Sequence, residues 1–311
     1  MVEVQIRSRT AAGPPVASPP RHPGRRNRLS PAGWVTLVFV VLTTQIPFLI
    51  TLWNSFQQWN LMDPSRRGFV GLDNYRMVFT LPTFGVSLWN SARMTVGVVV
   101  STIVIGTGLA LLLNRSFRGR VIVRTAVFSA FLIPPAASAL IWKTTMLDPS
   151  YGLLTFLLEP FGGSGVDWIN QYPMGTVIAV TAWQWIPFTM LIVLAGLQNE
   201  DASAREAMML DGAGSLRIFR YLTLSHLRAH IEVSALLGAI FVSQLLDPIF
   251  LLTQGGPGTA TATAAYQLHA LAFRSFDIGL ASAFGVIVVV ITIVTTLALL
   301  RLAVTSIRQG D

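Results

Sequence analysis

One polar stretch interrupts the apolar second half of the chain: Glu206-Ala207-Met208-Met209-Leu210-Asp211-Gly212-Ala213-Gly214, continuing through Phe219 and Tyr221 to Leu224. It is the longest polar interruption between uncharged apolar segments in that half. The stretch combines charges and small residues with a helix-permissive pattern, and it contains no set of metal ligands or nucleophiles. We interpret it as a docking helix on the cytoplasmic side of a membrane protein, where a partner protein binds and pushes.

The composition is that of a membrane protein. Of the 311 residues, 52% are hydrophobic and 12% are charged, and the mean hydropathy is +0.60, whereas a soluble domain carries about 25% charged residues. The deficit indicates that lipid is the solvent. The absence of cysteine excludes disulfides and thiolate metal sites. A net charge of +8 also fits nucleic-acid binding, but the arginines lie between apolar spans, where they orient a membrane protein, so we expect no nucleic-acid partner.

The apolar pattern predicts an all-α polytopic membrane protein with six transmembrane helices. Each apolar segment has about the 20 residues that a bilayer core requires. Residues 1–33 are basic and poor in apolar side chains, which is typical of a disordered arm. We expect a retained first helix rather than a cleaved signal peptide, because the first apolar run has full spanning length. The transmembrane domain is then 34–311, with spans at 34–56, 94–113, 125–142, 175–197, 233–253 and 278–300.

Basic residues set the predicted orientation. With the N-terminus inside, the inside segments contain 16 of the 22 basic residues and the outside segments contain 6. This ratio favours an N-in/C-in topology with both termini in the cytoplasm, and it places the loop 199–225 inside the cell. Lys143 is the single lysine, and this arginine bias suggests a GC-rich bacterial genome. We therefore expect a multi-pass protein of the bacterial inner (plasma) membrane.

Two prolines, Pro134-Pro135, lie within the third predicted span. A double proline removes two backbone donors. In lipid this is tolerable only where neighbouring helices or a cavity satisfy the freed carbonyls. We therefore expect this span to face the protein interior. The external loop that follows is expected to contain one short helix at 153–158.

The segment from Glu206 to Leu224 resembles the EAA loop of ABC importer permeases. Met208 and Ser225 depart from the family's Ala and Pro. The small residues allow a helix to lie close against a partner surface, and Gly212 permits a sharp turn between two short helices. Glu206, near the start of the first helix, suits the N-terminal dipole and can pair with a partner arginine. A solvated amphipathic loop helix is the alternative. The resemblance implies coupling to an ATPase through Glu206, Ala207, Asp211, Gly212 and Ala213.

Other motifs extend the resemblance over nearly everything after the basic arm. Together they are similar to the sugar-type branch of the MetI-like fold, which includes maltose and glycerol-phosphate permeases. Two segments, 138–143 and 255–260, are most similar to sorbitol/mannitol permeases. The motifs that carry the branch are Phe69-Val70-Gly71-Leu72-Asp73-Asn74-Tyr75, Ala182-Trp183-Gln184-Trp185-Ile186-Pro187-Phe188, Ala195-Gly196-Leu197-Gln198 and Leu252-Thr253-Gln254-Gly255-Gly256-Pro257-Gly258.

The resemblance implies a permease subunit that forms half of the translocation pathway of a binding-protein-dependent, ATP-driven carbohydrate importer, for a sugar or a sugar alcohol. The sequence has no G-x-x-x-x-G-K-[ST] run. We therefore expect a non-catalytic chain without a cofactor or metal of its own, with ATP and Mg on separate subunits. The implied partners are a second homologous permease, two ATP-binding subunits, an external solute-binding (lipo)protein, the carbohydrate or polyol, and membrane lipid.

The resemblance also implies a substrate pathway on the spans that flank the EAA loop. Amides and carboxylates bind sugar hydroxyls, and aromatic rings bind the C–H faces. Gln184 and Phe188 share a helix face because they are four residues apart. For the two glutamines the alternative is interhelical hydrogen bonding, for Trp183 and Trp185 it is packing or lipid contact, and for Asp247 it is pairing with a loop arginine at the external surface. The candidate residues are Thr181, Gln184, Trp185, Phe188, Gln244 and Asp247.

Two other classes of function are weaker fits. An ion-coupled secondary transporter of small polar solutes would favour paired intramembrane acids or basic relays, but Asp247 stands alone and no inverted repeat is evident. A membrane enzyme would need a cluster of reactive side chains. The four histidines are scattered and are expected in loops: His22, His226, His230 and His269.

Overall fold

The structure is a computed structural model that describes residues 31–63, 65, 67–161 and 165–308. All but the last three residues of the predicted basic arm lie outside the described residues. The chain divides into two units, Met1–Phe48 and Leu49–Asp311.

Helices make up most of the described chain. The α-helices are α1 (Pro31–Asn54), α2 (Asp73–Thr80), α3 (Pro82–Asn114), α4 (Arg120–Leu132), α5 (Pro135–Ile141), α6 (Leu153–Leu158), α7 (Trp168–Gln171), α8 (Pro173–Gln198), α9 (Ala202–Leu210), α10 (Ser215–Ile218), α11 (Leu224–Val242), α12 (Ala264–Phe273) and α13 (Ile278–Arg308). Three π-helical turns and one 3₁₀ turn accompany them: Trp142–Met146, Phe219–Thr223, Ile249–Thr253 and Glu159–Phe161. The short helix predicted at 153–158 is confirmed by α6, and its external position stays a prediction.

Four described helices, α1, α3, α8 and α13, are long and apolar enough to cross a membrane, and a bent pair brings the number to five. The pair is Arg120–Leu132 with Pro135–Met146, and it bends by 101°. The predicted span 125–142 is therefore not one straight helix, because its two prolines break it. The predicted span 233–253 is not one helix either, since α11 ends at Val242. The count of six spans stays a prediction.

In the first unit, α1 presents apolar side chains on every side. Residues 34–48 are all exposed. A helix that is apolar all round is typical of a membrane segment. The hydroxyls of Thr43 and Thr44 donate to carbonyl oxygens one turn earlier, of Phe39 at 2.8 Å and of Val40 at 2.7 Å. These bonds satisfy the polar groups within the helix, as a hydrocarbon environment requires.

In the second unit, α3 and α8 pack side by side, and their backbones come close together at Gly106. A Cβ atom on Gly106 would lie 3.1 Å from the carbonyl oxygen of Ile186 and 3.2 Å from the backbone nitrogen of Met190. Only glycine therefore lets the two backbones approach this closely, which is a common device in membrane helix packing. Buried side chains of both helices and of α11 continue this contact: Ala110, Leu113, Met190, Val193, Leu194, Leu197 and Leu227.

Segments distant in the chain meet in a small structure around two short strands. The strands β1 (Gln57–Gln58) and β2 (Gly68–Phe69) pair antiparallel, and the amide of Asn74 donates to the carbonyl oxygens of Ser55 and Gln57 at 2.9 and 2.8 Å. The Leu61 N–H donates to the Phe276 carbonyl at 2.9 Å, just before α13. The segment 259–277 contains α12, whose Ala264 and Leu271 pack in one buried cluster with side chains of α2 and α13.

Candidate functional site

The stretch that interrupts the second half folds as α9, a turn and α10. Asp201 caps α9, because its carboxylate accepts the Ser203 backbone N–H at 2.9 Å and the Ser203 hydroxyl at 2.6 Å. These bonds, the hydroxyl first, hold the pKa of the Asp201 carboxyl below its ordinary value of 3.8. Arg205 Nη1 lies 3.6 Å from the buried carboxylate of Glu200, which secures α9 to the end of α8. The prediction that Glu206 lies near the helix start is wrong, since Asp201 takes that place and Glu206 lies a turn further on.

The turn after α9 depends on Gly212. Its φ is +76°, a left-handed conformation that glycine adopts without steric penalty. The Gly212 N–H donates to the Met209 carbonyl at 3.0 Å, and the Ala213 N–H donates to the Met208 carbonyl at 2.9 Å. This pair of bonds is a Schellman motif, which ends a helix and satisfies its last carbonyls. The sharp turn predicted at Gly212 is confirmed.

The α9–α10 segment presents one surface to its surroundings. Glu206, Ala207, Asp211 and Gly212 are exposed, and Ala213 is half-buried. Three large apolar side chains accompany them, Leu210 at 89%, Leu216 at 80% and Tyr221 at 65% exposure. We name the group of Glu206, Leu210, Gly212, Leu216 and Tyr221 the coupling surface, after the role that the sequence predicts for this loop. The sequence prediction assigned no role to these three apolar residues, although all three lie within eleven residues of the turn at Gly212 in the sequence.

Helical backbone runs from the coupling surface into the membrane domain without a break. Thr223 and Leu224 both have right-handed helical dihedral angles, so α10, the π-turn and α11 form one rod over 215–242 of about 40 Å at 1.5 Å per residue. With Ser225 in the place of proline, the helix continues. His226 Nε2 lies 3.0 Å from the Gly196 carbonyl oxygen, which ties the rod to the end of α8. His226 and His230 lie in α11 and His269 lies in α12, so the predicted placement of these three histidines in loops is wrong. His22 lies outside the described residues.

The first helix break lies between α4 and α5. Ile133 ends α4 in an extended conformation, and Pro134 and Pro135 begin the next helix. The Gln184 side chain, only 4% exposed, donates from Nε2 to the Ile133 carbonyl oxygen at 2.5 Å. A neighbouring helix therefore satisfies a carbonyl freed at the break, as the double proline predicts. For Gln184 the structure shows the interhelical hydrogen bond that the sequence offered as the alternative to substrate contact.

The second break lies between α11 and the π-helix Ile249–Thr253. Gln244 is exposed and bonds weakly to its own chain, with Nε2 3.2 Å from the Ile240 carbonyl oxygen. Asp247 is half-buried, and among the described residues no arginine pairs with it. Lys143 Nζ donates to the Leu251 carbonyl oxygen at 2.8 Å across the two π-helices. Non-helical backbone at membrane depth is tolerated where it is buried in protein or lines a cavity.

Aromatic side chains connect the two breaks. Trp185 lies edge-on to Phe131, with ring centroids 5.6 Å apart, and stacks on Phe241 at 5.8 Å. Phe188 stacks on Phe131 at 5.6 Å and meets Trp185 at 5.5 Å. The four rings thus join α4, α8 and α11 beside Gln244. Sequence analysis named Trp185 and Phe188 and missed Phe131 and Phe241, which are distant in the chain. Phe241 is 51% exposed, so this aromatic cluster is partly open.

Thr181 does not reach an open surface. It is fully buried, and its hydroxyl has no hydrogen-bond partner within the described chain. Within the same residues no three His, Cys, Asp or Glu side chains are grouped to hold a metal ion. The chemistry of this region is therefore that of hydrogen bonding and aromatic contact.

A separate groove of about 710 Å³ lies between α3, α11 and α13. Its lining is mostly alkyl and hydroxyl, and none of the described residues that line it is aromatic. A carbohydrate site usually offers planar polar groups and rings. The aromatic cluster with Gln244 and Asp247 meets that description, and the groove does not.

Comparison with known proteins identifies the family. The family model for the binding-protein-dependent transport system inner membrane component matches residues 102–308. A probable ABC transporter permease, y4oQ of Sinorhizobium fredii, is 35% identical over 86% of this chain and 87% of its own length. The trehalose/maltose transport system permease MalF of Thermococcus litoralis is 32% identical over 86% and 89%. The sulfoquinovosyl glycerol transport system permease SmoG of Agrobacterium fabrum is 29% identical over 88% of each chain.

A solved structure shares the fold. It belongs to a bacterial ABC transporter involved in the import of the acidic polysaccharide alginate, and it aligns with a TM-score of 0.74. The alignment covers 88% of this chain and 93% of that one at 20% identity. The predicted MetI-like importer-permease fold is confirmed.

Proposed function

The chain belongs to the family of binding-protein-dependent transport system inner membrane components, and we propose that it forms half of the translocation pathway of an ATP-driven importer of a sugar or sugar alcohol. Family membership makes it a membrane-spanning, non-catalytic ABC transporter permease. An ion-coupled secondary transporter is not favoured by these relationships.

The observation that carries the proposal is the continuous rod over 215–242. It carries Leu216 and Tyr221 of the coupling surface near one end and Phe241 at the other, and Gln244 follows two residues after its last residue, Val242. A displacement of the Gly212 turn would therefore move one wall of the aromatic cluster, because a helix transmits force along its axis with little bending. Glu206, Ala207, Asp211, Gly212 and Ala213 are the residues we assign to the contact with an ATP-binding subunit.

The solute class follows from the side chains beside the breaks. Trp185, Phe188 and Phe241 offer ring faces for sugar C–H groups, while Gln244 and Asp247 offer an amide and a carboxylate for hydroxyls. Two relatives are permeases of trehalose/maltose and sulfoquinovosyl glycerol systems, and both solutes contain several hydroxyl groups. We assign Trp185, Phe188, Gln244 and Asp247 to the pathway, and Thr181 and Gln184 to the support behind it.

The remaining partners follow from what this chain lacks. The cluster is open at Phe241, and a second homologous permease would close the pathway there. No nucleotide-binding run occurs in the sequence, so two separate subunits would bind ATP and Mg. An external solute-binding protein would deliver the solute; the related alginate transporter has been crystallised with its periplasmic protein.

The cycle we propose has three steps. A loaded solute-binding protein docks on the external loops, and the ATP-binding subunits close on ATP. Their closure displaces the coupling surface, and the rod carries that displacement to the second break. The translocation pathway at the aromatic cluster then changes from inward-facing to outward-facing and accepts the solute. ATP hydrolysis reverses the movement.

Uptake into cells or proteoliposomes that contain the whole assembly tests the proposal. Accumulation of a labelled disaccharide or polyol should stop with vanadate and continue with a protonophore. Accumulation that stops with the protonophore and continues with vanadate would establish ion coupling instead. Binding of the same candidate solutes to the cognate solute-binding protein would identify which of them is carried.

A further inference from the structure

The short connection between α3 and α4 is the most basic part of the described chain. Residues 114–124 contain Arg115, Arg118, Arg120 and Arg124 and no Asp or Glu. Arg124 has a structural role, because its Nη2 donates to the Leu113 carbonyl oxygen at 2.7 Å and so caps the end of α3. The other three arginines are exposed.

These three arginines differ from the paired arginines of the chain. Arg205 pairs with Glu200 at 3.6 Å, and Arg228 pairs with Glu232 at 3.0 Å. Within the part of the chain that the structure describes, no carboxylate lies within ion-pair distance of Arg115, Arg118 or Arg120. The connection therefore presents three positive charges that no described carboxylate balances.

Apolar side chains share the same short segment. Phe117 is 43%, Val121 is 68% and Ile122 is 75% exposed. Val121 and Ile122 belong to the first turn of α4, which continues as part of the bent pair long and apolar enough to span a membrane. Contact with hydrocarbon stabilises exposed apolar side chains at the end of a segment long enough to span a bilayer. The arginines beside them therefore lie at the level of the lipid headgroups, where long cationic side chains extend toward phosphate.

We propose that Arg115, Arg118 and Arg120 form a binding site for the headgroup of an anionic phospholipid. The charge is complementary, and guanidinium groups bind phosphate oxygens in a bidentate manner. Clusters of basic residues next to a transmembrane helix attract anionic lipid. The neighbouring apolar residues favour a lipid over a soluble acidic partner, because a soluble partner would leave them in water or cover them only in part.

Native mass spectrometry of the full-length chain in detergent tests the site. Phosphatidylglycerol and phosphatidylcholine with identical acyl chains are titrated in parallel, so that only the headgroup differs. The wild-type chain should retain phosphatidylglycerol preferentially. At about fivefold per arginine, the double variant Arg115→Gln/Arg118→Gln should bind phosphatidylglycerol roughly 25-fold more weakly. The variant Arg115→Lys/Arg118→Lys should bind with an affinity between those of the wild type and the Gln variant, because it keeps the charge and loses the bidentate guanidinium contact.

A matched control removes two arginines outside this connection, Arg217 in α10 and Arg220 in the π-helical turn Phe219–Thr223. Arg217 and Arg220 have no ion pair among the described residues, so Arg217→Gln/Arg220→Gln removes the same charge. This control should retain phosphatidylglycerol as the wild type does. Equal loss in both double variants would show a general charge effect and overturn the site. Equal retention of the two lipids by the wild type, or displacement of phosphatidylglycerol by millimolar inorganic phosphate, would also overturn it.

The test includes two further outcomes. If Arg115→Gln/Arg118→Gln does not fold, the single variant Arg118→Gln carries the comparison, with about a fivefold expected loss. If the Gln variant retains the lipid but loses co-purifying ATP-binding subunits, the surface serves a protein partner and the lipid proposal is wrong.

Discussion

Replacement of Gln184 by leucine separates the two roles that the sequence offered for this residue. Leucine has nearly the same volume as glutamine, so the buried site stays filled. It cannot donate to the Ile133 carbonyl oxygen, which now receives a hydrogen bond at 2.5 Å. The helix break at Pro134 would then contain a buried acceptor without its partner.

The expected size of the effect follows from that unmet acceptor. An unsatisfied buried polar group costs about 1–3 kcal/mol, and hydrogen bonds between membrane helices measure about 0.6–2 kcal/mol. We therefore expect Gln184→Leu to destabilise the protein by about 1–2 kcal/mol. Membrane abundance and the melting temperature should fall, and uptake should fall in proportion to the protein that remains.

Gln244→Leu is the matched control. Gln244 is exposed and reaches only a carbonyl of its own helix, at 3.2 Å, so its loss should leave stability unchanged within about 0.5 kcal/mol. Uptake per folded protein should fall, because Gln244 is exposed three residues after Phe241 of the aromatic cluster and we assign it to the pathway. Thermal unfolding in nanodiscs and uptake normalised to abundance are the two measurements. If Gln184→Leu keeps full stability and loses uptake, Gln184 contacts the solute and our structural reasoning is refuted.

Three further predictions concern the coupling surface. Gly212→Ala introduces a side chain at φ +76°, which costs about 1–2 kcal/mol, and it should lower the coupling ratio, the solute transported per ATP hydrolysed. The control Gly214→Ala, at φ −69°, should leave this ratio unchanged. Equal coupling ratios in the two variants would contradict the prediction. Leu210→Asp should abolish co-purification of the ATP-binding subunits without lowering permease stability, because the side chain is 89% exposed; retained subunits would exclude Leu210 from the contact. Asp201→Ala should weaken coupling and Asp201→Asn should not, since both Asp and Asn cap helices. The folded-state pKa of Asp201 is lowered, so its capping contribution is present above the ordinary aspartate pKa and is lost as pH falls through the lowered value. Coupling ratios measured down to pH 4 should therefore be constant for the wild type. A loss of coupling between pH 7 and pH 5 would assign the effect to another group.

Much of the fold follows from local patterns that the sequence displays. Apolar length predicts α3, α8 and α13 because hydrocarbon requires a fixed number of helical residues. Gly212 predicts its own turn, since a left-handed residue after a helix favours glycine. The double proline predicts both a break in the helix and the need for a hydrogen-bond donor that satisfies the freed carbonyl. In each of these cases, the physical requirement acts within a few neighbouring residues.

What sequence analysis missed depends on contacts between distant residues. Phe131, Trp185 and Phe241 meet only because α4, α8 and α11 pack together, and no spacing along the chain shows this. The end of α11 at Val242 was also not predicted, because the residues that follow are apolar enough to continue a span. The start of α9 was misplaced by one turn, because two acids, Asp201 and Glu206, both suit a helix start.

The two helix breaks show how such a permease can be both stable and movable. At the first break the Gln184 amide donates to the Ile133 carbonyl, and in the π-helix that follows the second break the Leu251 carbonyl accepts from the Lys143 ammonium. A neutral bond of this kind contributes about 0.5–1.5 kcal/mol and a charged one about 1.5–3 kcal/mol, which is enough to hold one arrangement. The rod over 215–242 ends at the second break, beside the contact of Phe241 with Trp185. A pull on the coupling surface therefore acts at the helix breaks, where few backbone hydrogen bonds hold the chain. We expect the broken helices to move, and the continuous α3 and α8 to stay in place.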